Sequence, residues 1–256
     1  MKIVRSSRLN SILFTLYNRL ENNNNADFHI NGEERFLDDY LQSLSGTVTL
    51  FDVGANVGGY SEILIEKCRN KQLCYSLHLF EPTASCFEVL KKKFSSDSNI
   101  KLNNVGVSDV ETTAEMYYDT EQSGFASLYK RDLSSAHTVM DKQETITLRR
   151  LDEYIESNTI QQIDFLKIDI EGHELAAFRG LGKYLRADFI RAIQFEYGGA
   201  NLDSGTTLRQ LYQLLTGAGY QLFKIMKHGI EHRTYHVRME NYQYANYVAL
   251  SPAVLK

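Results

Sequence analysis

The residues whose types and spacing point to chemistry begin with Phe51-Asp52-Val53-Gly54-Ala55-Asn56-Val57-Gly58-Gly59-Tyr60-Ser61, where an apolar run turns into a helical pattern through glycines. Glycines at such a strand-to-helix turn let backbone approach a ligand closely. A dinucleotide fingerprint, GxGxxG, requires glycine at position 56, and this chain has Asn56. Asp52 stands just ahead of the first glycine, where a carboxylate repels a pyrophosphate but accepts a hydrogen bond from an amino-acid ammonium, directly or through water. S-adenosylmethionine carries that ammonium and no phosphate, so charge favours it over a nicotinamide dinucleotide. Glu81 follows the next apolar run, at the place where an acid accepts both ribose hydroxyls.

A second cluster, Asp169, Glu171, His173 and Glu174, follows a later apolar run, and Glu196 follows the one after that. Transfer of that cofactor's methyl to a hydroxyl, one reaction such a site could run, would require the hydroxyl to lose its proton, so a positioned base would be useful. His173 is the first candidate, because imidazole titrates near neutrality. Asp169 or Glu171 can accept the proton or orient the acceptor. The structural alternative is that acids ahead of a helix only cap it and complement its dipole. Asp169-Ile170-Glu171-Gly172 contains no proline, unlike the Asn/Asp-Pro-Pro-Tyr of many enzymes that methylate exocyclic amines, which argues against nucleic-acid targets.

The elements that must position these residues alternate between short apolar runs and helical patterns from Val48 onward, the signature of a mostly parallel sheet with helices on both faces. Strands are expected at 47–53, 75–80, 100–105, 164–170, 189–195, 220–226 and 247–250, the last two forming a C-terminal antiparallel hairpin. Period-two stretches within 112–148 read as a small β insertion. Leu9, Ile12, Leu13, Leu16 and Leu20 repeat at helical spacing, and Leu37, Tyr40, Leu41 and Leu44 suggest a second helix. Residues 1–45 are therefore a helical extension to a domain spanning 46–256, with Asn22 to Asn25 as a flexible connector. Whether the extension caps a site or packs and dimerises, giving a homo-oligomer, stays open. His228, His232 and His236 recur at helical spacing, but Gly229 and the flanking strands favour a loop or hairpin over a metal-binding helix.

These motifs together resemble the FkbM-like methyltransferases, a branch of the class I S-adenosylmethionine enzymes. The matching stretches are FDVGANVGGYS (51–61), LHLFEP (77–82), VGVSD (105–109), SGFASLY (123–129), ITLRRLDEYI (146–155) and DFLKIDIEGHE (164–174). The resemblance implies an α/β, Rossmann-like sheet of seven mostly parallel strands and methyl transfer, usually to a hydroxyl of a sugar, glycan or small natural product. It implies cofactor contacts from Asp52, Gly54, Asn56, Gly58 and Glu81, with Asp169 nearby and Asn104 to Gly106 beside the adenine. Asp169 and Glu196 also occupy the strand ends that hold a divalent ion in catechol-type O-methyltransferases. Two carboxylates alone make a poor site, so metal dependence is not favoured. Peptide or lipid acceptors, and a relative that binds cofactor without turnover, are the alternatives.

Composition is consistent with this reading. Across 256 residues, 32 acids face 28 bases, a net charge of −4 that gives no overall drive toward nucleic acid. Cys68, Cys74 and Cys86 form no CxxC pair, and with no recognisable signal peptide they favour a reducing, cytoplasmic setting. The apolar stretch Ile12 to Leu16 is too short to span a membrane.

Overall fold

The computed structural model describes residues 8–134 and 137–255. An eight-stranded sheet runs in the order β10-β9-β11-β8-β7-β1-β2-β3, with β1 Thr47–Val53, β2 Cys74–Phe80, β3 Ile100–Asn103, β7 Ile163–Ile168, β8 Ile190–Tyr197, β9 Gln221–Met226, β10 Gly229–His232 and β11 Ala245–Leu250. Strands β3, β2, β1, β7 and β8 are parallel, and β11 inserts antiparallel between β8 and β9. This is the expected Rossmann-like architecture with one strand more. The addition, β10, hairpins onto β9 through the histidine-bearing stretch. His228, His232 and His236 therefore lie along a turn, a strand and a short 3-10 start, not on one helix.

Alternation along the strands sorts their side chains onto two faces. Phe51, Val53, Leu166, Ile168, Ile193 and Phe195 meet α5 Leu151–Ser157, α6 Glu174–Gly180 and α7 Leu208–Gly217. Val48, Leu50, Phe165, Ala192 and Val248 meet α2 Glu33–Gln42, α3 Gly59–Asn70 and α4 Ala84–Phe94. Because parallel strands are covered on both sides, β7 is buried along its whole length.

The N-terminal helices behave differently from one another. α1, Arg8–Leu20, buries none of its residues, whereas α2 buries Phe36, Leu37, Tyr40 and Leu41 in the core. The asparagine run between them is no loose connector. Asn22 and Asn23 are buried; Asn22 donates to the carbonyls of Asn31 (2.6 Å) and Ile225 (3.1 Å), and Asn23 accepts from Lys224 Nζ (2.7 Å). Short amides can close a polar turn that apolar residues would leave unsatisfied.

The insertion is a three-stranded sheet, β4 Gly106–Val107, β6 Lys142–Arg149 and β5 Thr112–Tyr118 in spatial order. It starts earlier than the period-two pattern indicated. Two residues, Gly106 and Val107, leave the main sheet after β3 and pair with Leu148 and Arg149.

Candidate active site

A cavity of about 670 Å³ opens at the carboxyl ends of β1, β2, β7 and β8. That is where open α/β sheets bind their ligands, because successive loops diverge there. Its floor is Val53 to Val57 with Glu81, and its acidic end is Asp169, Glu171 and Glu196. Met116, Phe125, Leu128, Ile146 and Leu148 of the insertion form an apolar wall, and Ala26 and Phe28 enter from the N-terminal segment.

The glycine loop is shaped first by protein packing. Gly54 has φ +87°, and a Cβ there would collide with the Asp169 carbonyl at the end of β7. Gly58 has φ +84°, and a Cβ there would press on Phe94 and Leu90 of α4. Thus Gly54 lines the cavity, while Gly58 lies away from the wall, holding the turn against α4. Asn56 is left-handed at φ +47°, a conformation asparagine tolerates. Its amide N–H donates to Glu81 Oε2 (2.9 Å), and its Nδ2 donates to the Ser123 carbonyl (3.2 Å), tying the loop to the insertion. Glu81 Oε1 accepts from the Thr83 amide (2.9 Å) and hydroxyl (2.6 Å). Burial pushes the Glu81 carboxyl above its ordinary range, and those hydrogen bonds oppose the shift.

Besides Gly58, two more of the expected cofactor contacts sit elsewhere. Asp52 is fully buried behind the wall, accepting from Ser61 Oγ (2.6 Å). It is in register with Lys167 on the adjacent strand, so the pleat aims both side chains to one face, below the loop. Its Oδ1 has no protein donor. Asn104 turns its Nδ2 to the carbonyls of Glu81 (2.9 Å) and Pro82 (3.0 Å), and the wall at that point is Val105, Gly106 and Val107.

Lys167 organises the acidic end. Its Nζ lies 2.7 Å from Asp169 Oδ2 and 4.5 Å from the Tyr60 ring centre. Burial pulls its pKa down, but Asp169, Asp52 and Glu33 together hold the ammonium above the ordinary lysine value. Asp169, opposed by burial, is nonetheless kept below the usual carboxylate range by that ammonium and by hydrogen bonds from Lys167 and Glu196. Glu196 goes the other way: burial, then Asp169, Glu171 and Glu174, raise it so that it keeps a proton. Glu171, at φ +52°, pairs with the half-buried Arg131, yet burial and Asp169 raise its carboxyl to about 8. Arg131 also lies 3.4 Å from Asp203.

His173 lines the cavity, but both ring nitrogens are occupied. Nε2 is 2.9 Å from the Ser108 hydroxyl, and Nδ1 is 2.9 Å from that of Tyr129. Burial lowers its pKa, so the ring is neutral, with one nitrogen accepting and the other donating. A free imidazole facing an acceptor is therefore not the arrangement here. Glu174 bonds the α6 entry, accepting the amides of Gly172 (3.0 Å) and Ile170 (3.3 Å), which is the helix-start role that competes with catalysis.

Sequence reasoning missed Lys167, Arg131 and Glu33. Lys167 carried a signal: a lysine inside an otherwise unbroken apolar strand demands a counter-charge. Arg131 carried none, since the insertion that delivers it has no periodic tie to β7. Asp169, Glu171 and Glu196 each bring one oxygen within 4.8 Å of the others, so the third acid beside the expected pair is Glu171. Lys167 and Arg131 already supply two cations there.

Residues 52–222 match the methyltransferase FkbM domain. Methyltransferase 1 of Beauveria bassiana (strain ARSEF 2860) is 21% identical over 147 residues, covering 52% of this chain and 57% of that protein. The structure of the citrinin polyketide synthase CMeT domain superposes with a TM-score of 0.50 at 13% identity, over 96% of this chain and 57% of that one, which speaks to fold alone. The chain thus spans little more than half the length of these relatives. With two thirds of its residues matched in order, this chain belongs to the FkbM methyltransferase domain family.

Proposed function

We propose that this chain transfers a methyl group from S-adenosylmethionine to a hydroxyl of a sugar, glycan or small natural product. The observation that carries the reading is one cavity with a ribose-type acid, Glu81, at one end and the three-carboxylate cluster at the other. The donor set fits the cofactor: Glu81 would hold the ribose, and Gly54 and Asn56 the amino-acid portion. When bound, the cofactor supplies an electrophilic methyl on a cationic sulfonium. The ionised Asp169 suits that cation, and the apolar insertion wall keeps water away from the acceptor.

Glu171 is the residue we assign to take the acceptor's proton. Its raised pKa of about 8 makes it a stronger base than Asp169, whose charge Lys167 stabilises. Asp169 orients the acceptor, and His173 holds Tyr129 and Ser108 in place. Metal is not required in this scheme, since two side-chain cations face the cluster. The three free cysteines suit a reducing cytoplasmic setting.

Two measurements test the reading. Calorimetry should detect S-adenosylmethionine and its demethylated product but not NAD. Methyl-labelled cofactor, incubated with pools of hydroxylated acceptors, should give a product whose new methyl carbon is bonded to oxygen. Labelled carbon or nitrogen instead would reassign the acceptor, and binding without transfer to any pool would favour the non-catalytic alternative.

A further inference from the structure

We propose that α1 is an interfacial helix that docks on an anionic membrane surface. Its Leu9, Ile12, Leu13, Leu16 and Leu20 recur at steps of three and four, forming one stripe. With Phe14 and Tyr17 these side chains are between 41% and 68% exposed, and no residue of the helix is buried. Single exposed leucines need no explanation, but seven large apolar side chains on one short helix form a patch that must be covered by something. The helix is not merely detached. Asn23 donates its amide to the Asn18 carbonyl (2.8 Å) and its Nδ2 to Asn18 Oδ1 (3.0 Å). Glu21, just beyond, meets Lys224 and Arg233, each at 3.3 Å. Polar residues clamp the helix to the domain and leave the stripe outward.

Charge selects the occupant. Residues 1–20 contain Lys2, Arg5, Arg8 and Arg19 and no acid, in a chain whose net charge is −4. Arg8 lies four residues before Ile12 and Arg19 seven after it, so both flank the same border of the stripe. Neither carries an ion pair among the described residues. Long basic side chains at the edge of an apolar stripe can bury their stems and keep their charges at the level of lipid phosphates. A second copy on this face would bring cations against cations, with no carboxylate in the segment to pair them. No helix of the described residues is long and apolar enough to cross a membrane, so the mode is attachment in the interface plane. The helix leads within a few residues to Ala26 and Phe28 of the cavity wall, and the Asn24 amide bonds the carbonyl of Tyr244, another wall residue (2.8 Å). Docking would therefore hold the cavity close to the lipid surface.

Co-sedimentation of the full chain with vesicles tests this, using phosphatidylcholine alone and phosphatidylcholine mixed with phosphatidylglycerol. Binding is expected to the mixed vesicles and to weaken at high salt. Arg8→Ala with Arg19→Ala should weaken it roughly 25-fold, and Leu13→Glu with Leu16→Glu by at least about tenfold. Thermal unfolding and calorimetric affinity for S-adenosylmethionine should match wild type in both variants, because α1 contributes nothing to the core. Absence of binding to the mixed vesicles, or equal binding to neutral ones in high salt, overturns the proposal. So does a dimer in sedimentation equilibrium that Leu13→Glu with Leu16→Glu dissociates while vesicle binding persists.

Discussion

Two turns of related construction lie side by side along the cavity, at the carboxyl ends of adjacent strands. The turn after β1 and the turn after β7 each place a non-glycine residue in the left-handed region, Asn56 at +47° and Glu171 at +52°, followed by a left-handed glycine, Gly58 or Gly172. In the first, the side chain is a neutral amide and its backbone N–H is matched by Glu81. In the second, the side chain is a carboxylate crowded by Asp169, Glu174 and Glu196, with Arg131 as its counter-charge. One backbone device thus serves two ends: a cradle whose polar groups are satisfied within the protein, and an electrostatically loaded turn whose balance a cation completes. Backbone strain is tolerated in both because neighbouring contacts over-determine the conformation.

The largest effect on this contrast should come from Lys167→Met. Removing the buried ammonium leaves Asp52, Asp169 and Glu33 unneutralised on the loaded side, at a cost of about 3–5 kcal/mol. Denaturant unfolding checks it, and a change below about 1 kcal/mol would mean that those acids simply take up protons. Next is Glu171→Gln, expected to lower turnover about 10²–10⁴-fold with cofactor affinity nearly kept. Wild-type rate should rise with pH through about 8, and the variant should lose that limb. His173→Ala, measured per folded molecule, should retain most of the rate; a loss as large as that of Glu171→Gln would restore His173 as the base.

On the cradle side, Glu81→Ala should weaken S-adenosylmethionine binding by about 1.5–3 kcal/mol, read by calorimetry. Unchanged affinity would remove Glu81 from the ribose site. A pH-dependent effect belongs to the loaded turn alone. Glu174 and Glu171 are raised to about 7 and about 8, so the folded chain binds more protons than the unfolded one above the ordinary glutamate range. Their contribution to stability therefore falls as pH rises from about 5 to 8, and Glu171→Gln should flatten the thermal-unfolding profile in that window. Last, exhaustive chelation should leave turnover unchanged; loss restored by Mg²⁺ would make Asp169, Glu171 and Glu196 ligands.

The cradle was the more legible of the two turns. Its glycines, Asn56 and Glu81 are local signals, tied to strand ends that hydrophobic runs mark directly. Even there the pattern did not reveal that Gly58 accommodates α4 or that Asp52 points beneath the loop, because both depend on neighbouring elements. The loaded turn was legible as a list of acids and no further. Which of them keeps a proton depends on distances among side chains from β7, β8 and the insertion.

From the sequence came the alternating strand and helix pattern, the order of the motifs, the stripe of α1 and the likeness to one family, since periodicity and short motifs are properties of contiguous residues. Only the tertiary structure decided that α2 belongs to the core while α1 does not, and that Asn22 and Asn23 are buried and hydrogen-bonded to the domain. It alone brought together Arg131 and Glu171, 40 positions apart in the chain, and closed His173 between two hydroxyls. Burial and charge pairing act through space, and a titrating group takes its pKa from whatever the fold sets beside it.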